Sequence, residues 1–101
     1  MSNSRRCQID IMCDILKVCQ ERSRKTRIVY CANLNFSRAN QYLKTLLGLG
    51  YITRDERFSD GVYYRTAEEG RNFLENYLEM KGKAHELLLK ERTSSFGRAH
   101  L

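Results

Sequence analysis

The hydrophobic positions of the chain follow a helical period near the N-terminus. From Ile9 to Cys19, apolar residues recur every three or four positions, which predicts an amphipathic helix over about residues 5–21. Ile11 and Val18 form a second apolar ridge on this helix. Because a helix that is apolar on two sides is covered on two sides, the C-terminal helix or a partner subunit should cover that ridge.

Two shorter helices are predicted in the middle of the chain, after a polar, basic connector at residues 22–25. Thr26 is predicted to cap a second helix over about residues 27–32, and Asn35 a third over about residues 36–49. Asn33 and Gly50 suit the C-terminal ends of these two helices. The short separation between them is typical of a helix-turn-helix.

The pattern then changes to that of strands and returns to a helix. Residues 51–54 and 62–66 are rich in β-branched and aromatic side chains and flank a polar loop, which predicts a hairpin. A long fourth helix is predicted over about residues 67–92, with Thr66 and Glu69 as its capping box. Residues 93–101 lack periodicity and are expected to form a mobile tail.

This order of elements predicts a fold that is mainly α with a small β-hairpin. Three helices followed by a two-stranded ribbon is the layout of a winged helix-turn-helix domain, here over residues 5–66. The helix over residues 67–92 would follow it as a C-terminal dimerisation element. With 101 residues, the chain makes one such unit.

The positive charge of the chain is concentrated in one segment. The formal net charge is +6, yet the 33 residues from Arg22 to Arg54 contain no Asp or Glu and carry seven positive charges. The remaining residues therefore sum to 6 − 7 = −1. A cationic surface on a compact helical module attracts a polyanion, so double-stranded DNA is the predicted partner.

The predicted third helix separates an apolar face from a basic one. If Leu43 marks the centre of the buried face, Phe36, Ala39, Leu46 and Leu47 lie beside it. Any solvent-exposed helix face is polar, so polarity alone does not indicate DNA binding. The exposed face of the fourth helix carries both signs of charge, however, whereas the exposed face of the third helix has no acidic residue. The side chains predicted to read bases or grip phosphates are Ser37, Arg38, Asn40, Gln41, Lys44 and Thr45.

Two other regions are predicted to contact the DNA backbone or an adjacent groove. The start of the second helix offers Arg24, Lys25 and Arg27. The hairpin offers Arg54 and Arg57, the latter being the best wing candidate, although three acidic residues in the same loop leave wing contact open. Phe58, at the predicted tip, would fold back onto the core or touch the sugar edge.

The fourth helix carries a spacing typical of a coiled coil. The predicted dimerisation residues are Phe73, Tyr77, Met80, Ala84 and Leu87, which step by four and three along the chain, and Leu88, which widens the apolar stripe. The first half could instead pack on the ridge of the first helix while the second half projects to a partner. Because a projecting helix would expose a sizeable apolar patch, a homodimer is predicted, with parallel or antiparallel strands left open. Gly82 would mark a kink or a close helix crossing.

No metal or cofactor site is predicted. The four cysteines lack the close spacing of zinc ligands, and His85 and His100 are distant from them in sequence. Cys19 and Cys31 are interpreted as small core residues, whereas Cys7 leaves a redox role or an intersubunit disulfide open.

Catalysis and membrane insertion are not predicted either. No nucleophile, base and acid occur in a catalytic arrangement, so an enzyme is not expected. No apolar run reaches the ~18 residues that a membrane span requires. The protein is expected to be cytoplasmic and nucleoid-associated, and the sequence does not identify a small-molecule effector.

Several short segments together carry a family resemblance. They are the strings Lys25-Thr26-Arg27-Ile28-Val29-Tyr30, Ala32-Asn33-Leu34-Asn35-Phe36, Gly50-Tyr51-Ile52 and the stretch 66–74. The chain resembles small archaeal winged helix-turn-helix DNA-binding proteins that dimerise through an antiparallel coiled coil of their C-terminal helices. The resemblance implies DNA contacts at Ser37, Arg38, Gln41, Lys44, Lys25 and Arg27. Ala67, Gly48 and the four cysteines depart from the family pattern.

The leading functional hypothesis is a homodimeric, DNA-binding transcriptional regulator that places its third helix in the major groove. The first alternative is a sequence-indifferent nucleoid or architectural DNA-binding protein, since the same surface chemistry suits both. The second alternative is a winged helix used only as a protein–protein adaptor.

Overall fold

The computed structural model describes residues 6–57 and 59–99, with side chains as far as residue 87. The elements are α1 (Gln8–Val18), α2 (Lys25–Cys31), α3 (Phe36–Leu49), β1 (Ile52–Asp55), β2 (Tyr63–Thr66) and α4 (Glu68–Ala99). This order confirms the predicted fold class. Residue 5, Phe58 and the side chain of Leu88 lie outside the described part of the chain.

The core lies where the first three helices meet the inner face of the hairpin. Ile11 and Ile15 of α1, Ile28 of α2 and Leu46 of α3 are each at most 2% exposed. Burying side chains of this size contributes about 1.5–3 kcal/mol each. The predicted core face of α1 was wrong at its first residue, because Ile9 is 47% exposed. Ile11 of the second ridge is buried, and α4 contacts α1 at Asp10.

The ends of α3 follow the predicted capping. The side chain of Asn35 accepts a hydrogen bond from the backbone N–H of Arg38 at 2.7 Å, and Gly50 ends the helix with φ 78°. The prediction for α2 was wrong, because that helix begins at Lys25 and Arg24 occupies its cap position, so Thr26 lies inside the first turn. Two backbone hydrogen bonds with Tyr64 fix the position of Ser23, and α2 begins two residues later, at Lys25.

The hairpin is joined by a β-bridge that the sequence did not predict. In the antiparallel pair, Ile52 lies opposite Thr66 and Asp55 opposite Tyr63. The connector between α1 and α2 adds an isolated antiparallel bridge from Ser23 to Tyr64. The connector therefore lies beside β2, on the edge that β1 leaves open.

The start of α4 corrects a second capping prediction. The hydroxyl of Thr66 donates to the carbonyl of Leu16 at 2.7 Å, and its N–H donates to the carbonyl of Cys19 at 2.8 Å. The residue that precedes the helix is Ala67, whose carbonyl accepts from Arg71. The predicted capping box of Thr66 and Glu69 was wrong, since Thr66 is the last residue of β2 and is bound to α1.

α4 is longer than predicted and leaves the core early. It continues past Arg92 to Ala99. The sequence prediction ended the helix where the apolar period ends, but no proline follows to interrupt it. Leu74 is 1% exposed, whereas every side chain at residues 78–87 is exposed. In the described part of the chain, no helix combines the length and apolarity needed to cross a membrane.

Two predicted dimer residues pack within their own chain. The ring of Phe73 lies 5.0 Å from that of Tyr51, measured between centroids. Tyr77 donates a hydrogen bond to Asp10 of α1, and the Nζ of Lys81 lies 3.7 Å from the same carboxylate. These contacts fix the direction in which α4 leaves the winged domain.

The cysteines divide into two buried and two exposed thiols, all free. Cys13 and Cys19 are buried in the core. The prediction that Cys31 is a core residue was wrong, because it lies on the outer side of α2 and the next residue, Ala32, takes the buried position.

Candidate nucleic-acid interface

The outer face of α3 is a continuous polar surface without an acidic residue. Ala39, Leu43 and Leu46 are at most 2% exposed and hold the opposite face on the core. Phe36 was predicted to be buried but is 51% exposed, because it lies at the open first turn of the helix. The six predicted interface residues of this helix are all exposed: Ser37, Arg38, Asn40, Gln41, Lys44 and Thr45.

A shallow depression of about 250 Å³ borders this face on the side of α1. Its lining includes Gln8 and Met12 of α1 beside Arg38 and Tyr42 of α3. The guanidinium of Arg38 lies 5.9 Å from the centre of the Tyr42 ring, a cation–π distance. The sequence prediction missed these neighbours, because helical spacing describes one helix and does not show which second helix lies beside it.

The basic start of α2 is presented to solvent only in part. Arg24 and Arg27 are exposed, and Lys25 is half-buried. Hydrogen bonds to the thiol of Cys31 and to Glu21 hold the pKa of Arg27 above its ordinary value. The ion pair with Glu21, at 3.5 Å, offsets part of the charge that Arg27 brings to this surface.

The wing arginines are both paired with acids of their own loop. The guanidinium of Arg57 donates to the two carboxylate oxygens of Asp55 at 3.0 and 2.8 Å. These bonds lower the pKa of Asp55 to about 2. Arg54 pairs with Glu56 at 3.0 Å. The wing therefore carries less net charge than α3, and its arginine at position 57 is held in one orientation.

A further cluster of basic and aromatic residues was missed by the sequence prediction. Arg22 and Arg24 place their guanidinium carbons 5.7 and 5.6 Å from the centre of the Tyr63 ring. Tyr63 in turn donates a hydrogen bond to Asp60 at 2.8 Å. The signal in the sequence was the alternation of arginine with Ser23, but it becomes visible only once the connector is known to pair with β2.

Metal binding finds no support in the described part of the chain. Residues 6–57 and 59–99 contain no group of three or more His, Cys, Asp or Glu side chains placed to hold an ion.

Comparison with known proteins identifies the fold. A family model described as winged helix-turn-helix matches residues 5–85. The chain belongs to the winged helix-turn-helix family. No curated protein matches it in sequence. The family match and the neighbours below indicate a non-enzymatic protein, as the sequence predicted.

Solved winged helix structures resemble the chain over most of its length. Sso10a-2, a DNA-binding protein from Sulfolobus solfataricus, is 28% identical with a TM-score of 0.69, covering 90% of this chain and 96% of that protein. This likeness confirms the resemblance to small archaeal winged helix-turn-helix DNA-binding proteins.

Two further structures share the fold alone. FabT of Streptococcus pneumoniae, solved in complex with DNA, is 16% identical with a TM-score of 0.63, covering 92% of this chain and 70% of FabT. The transcriptional regulator SlyA is 18% identical with a TM-score of 0.63, covering 78% of this chain and 58% of SlyA.

Proposed function

We propose that this winged helix-turn-helix protein binds duplex DNA as a homodimer and regulates transcription. The observation that carries the proposal is the exposed, acid-free face of α3 on a fold shared with DNA-binding proteins. On this proposal α3 lies in the major groove, where Arg38 pairs with guanine and Gln41 with adenine. Lys44 and the short polar side chains beside it contact phosphates.

The remaining predicted contacts surround this helix. Arg24, Lys25 and Arg27 approach the backbone from the start of α2. Arg57, which Asp55 orients, approaches a neighbouring groove from the wing. Arg54, which pairs with Glu56, approaches the DNA from the same hairpin. Because phosphate contacts release counterions, binding is expected to weaken steeply as salt is added.

The α3 assignment is tested by the double variant Arg38→Ala/Lys44→Ala. Fluorescence anisotropy with a labelled duplex at low salt should show an affinity at least severalfold lower, because two positive charges leave the groove face. The matched control, Arg71→Ala/Lys83→Ala, removes two exposed positive charges from α4 and should bind as the wild type does. With circular dichroism showing both variants folded, an unchanged affinity in the α3 variant would defeat the groove assignment.

The homodimer is supported by the exposed stretch of α4 from residue 78 to residue 87. Met80 is 64% and Leu87 66% exposed, and Ala84 is exposed between them on the same side of the helix. A helix of 32 residues extends about 48 Å, so it reaches well beyond its contact with α1. Pairing with a second copy would remove these apolar side chains from water.

The dimer is tested by Leu87→Glu, with His85→Glu as the control that adds a negative charge about 200° around the helix. Sedimentation velocity should show a dimer for the wild type and the control, and a monomer for Leu87→Glu. The monomer should also bind DNA more weakly, since two linked sites give higher avidity than one. If the Leu87→Glu variant is still a dimer, Leu87 is not part of the dimer interface.

A sequence-indifferent architectural role is the second candidate, because the exposed, acid-free face of α3 also suits contacts with phosphates of any sequence. Selection of bound sequences from a random duplex pool separates the two roles. Recovery of a palindromic motif, as a two-fold dimer requires, supports regulation. Equal competition by random duplex supports coating or bridging of DNA. Absence of any binding at low salt would leave the adaptor hypothesis.

A further inference from the structure

The outer face of the hairpin and its bridged connector gathers arginines around one tyrosine. Ser23 and Tyr64 exchange two backbone hydrogen bonds, of 2.9 and 2.8 Å, and both side chains are buried in the core. Side chains alternate across a strand, so the residues on either side of this pair lie on the outer face. The members of this face, named here the arginine face, are Arg22, Arg24, Tyr63 and Arg65.

Tyr63 orders two of these arginines. Both guanidinium groups lie within 5.7 Å of its ring centre, and its hydroxyl is held by Asp60. Gly61 leaves room for this arrangement, because a Cβ there would lie 2.7 Å from a guanidinium nitrogen of Arg24. An arginine that is already ordered loses less side-chain entropy when it binds a ligand.

The charge of the arginine face is positive after its acidic neighbours are counted. Asp55 faces Tyr63 across the hairpin and lies in the field of Arg22, but it is engaged by Arg57. Asp60 accepts from the tyrosine hydroxyl, and Glu56, which lines a depression together with Arg65, pairs with Arg54 at 3.0 Å. The three arginines of this face therefore outweigh the carboxylates beside them.

We propose that the arginine face is a second phosphate-binding site, which holds the backbone of the same duplex that α3 reads. Arg22 and Arg24 contact phosphate oxygens, whose geometry matches the guanidinium fork, and Tyr63 is a positioning residue. This inference rests on the proposed DNA binding and adds Arg22, Arg65 and Tyr63 to the predicted interface. It also gives the connector a role in recognition.

The test measures how binding of a labelled duplex depends on salt for Arg22→Gln, Arg24→Gln and the double variant. Between about 50 and 200 mM salt, each lost phosphate contact should make the slope of log K against log salt shallower by about 0.9. Lys83→Gln, which removes one exposed charge from α4, is the matched control and should keep the wild-type slope.

Two tyrosine variants separate positioning from sheet stability. Tyr63→Phe keeps the ring under the arginines and should bind within about twofold of the wild type. Tyr63→Leu removes the ring and should weaken binding severalfold while the charges that set the salt slope remain. A purely structural tyrosine would show lower thermal stability in Tyr63→Leu with an unchanged affinity, and that result would overturn its positioning role.

The outcomes distinguish this inference from the proposed function. If the double arginine variant binds with the wild-type slope and affinity while Arg38→Ala/Lys44→Ala loses affinity, the arginine face is overturned and the α3 assignment stands. If the wild type does not bind duplex at low salt, both proposals fail. The single variants change exposed side chains, so each one tests the arginine face by itself if the double variant proves less stable.

Discussion

Gly70, in the first turn of α4, is the most constrained glycine of the described chain. A Cβ added there would overlap the carbonyl oxygen of Tyr51 and lie 2.9 Å from its carbonyl carbon and 3.1 Å from a methyl group of Leu16. The same carbonyl accepts the N–H of Ala67 at 2.8 Å. Because backbone atoms cannot move aside cheaply, Gly70→Ala should shift the start of α4 away from the hairpin.

The size of the effect follows from three opposing contributions. Replacing a helical glycine with alanine favours the helix by about 1 kcal/mol. Overpacking against a backbone carbonyl costs about 1–3 kcal/mol, and loss of the Ala67–Tyr51 hydrogen bond costs about 1 kcal/mol more. The free energy of unfolding should therefore fall by about 1–3 kcal/mol. For a domain of this size, each kcal/mol lowers Tm by about 4–8 °C.

The assay is urea unfolding followed by circular dichroism at one fixed protein concentration, because the stability of the proposed dimer would depend on concentration. Gly48→Ala is the matched control: this glycine is also helical, it is exposed on α3, and a Cβ there meets no atom within 4 Å. The control should gain up to about 1 kcal/mol. A Gly70→Ala protein as stable as the wild type would refute the reasoning that this contact sets the position of α4.

Two further predictions concern ionisable groups. The wing arginine depresses the pKa of Asp55 to about 2, so its stabilising contribution is present above its unfolded pKa of about 4 and is lost as pH falls through about 2. The stability difference between wild type and Asp55→Asn should shrink over that window, and a carboxyl NMR titration midpoint near 4 would contradict it. Burial raises the pKa of Cys13 to about 11 and of Cys19 to about 12, so at about pH 8 a thiol reagent should modify Cys7 and Cys31 rapidly and the buried pair slowly. Rapid reaction of all four thiols in the folded protein would contradict that assignment.

The fold was predictable because its signals are local. The periodicity of α1 and α3, the cap at Asn35 and the left-handed turn at Gly50 each depend on a few consecutive residues. The separation of a basic from an apolar face on α3 follows from the same periodicity. The resemblance to archaeal winged helix-turn-helix proteins rested on local strings as well.

The errors occurred where a distant part of the chain competes for a residue. Thr66 has the sequence of a cap, but α1, about 50 residues earlier, takes its hydroxyl. Ile9 fits the apolar period of α1 yet lies beyond the reach of the core. Cys31 was assigned to the core on its residue type alone, whereas the packing of α2 places Ala32 inside.

The order of elements, the basic segment and the acid-free face of α3 could all be predicted from the amino-acid sequence, because each is set by the spacing of nearby residues along the chain. The folded chain was needed to show that the connector bridges to β2, that Tyr63 gathers Arg22 and Arg24, and that α4 separates from the core after its first turns. These features join residues far apart in sequence, and such contacts form only when the core brings the elements together.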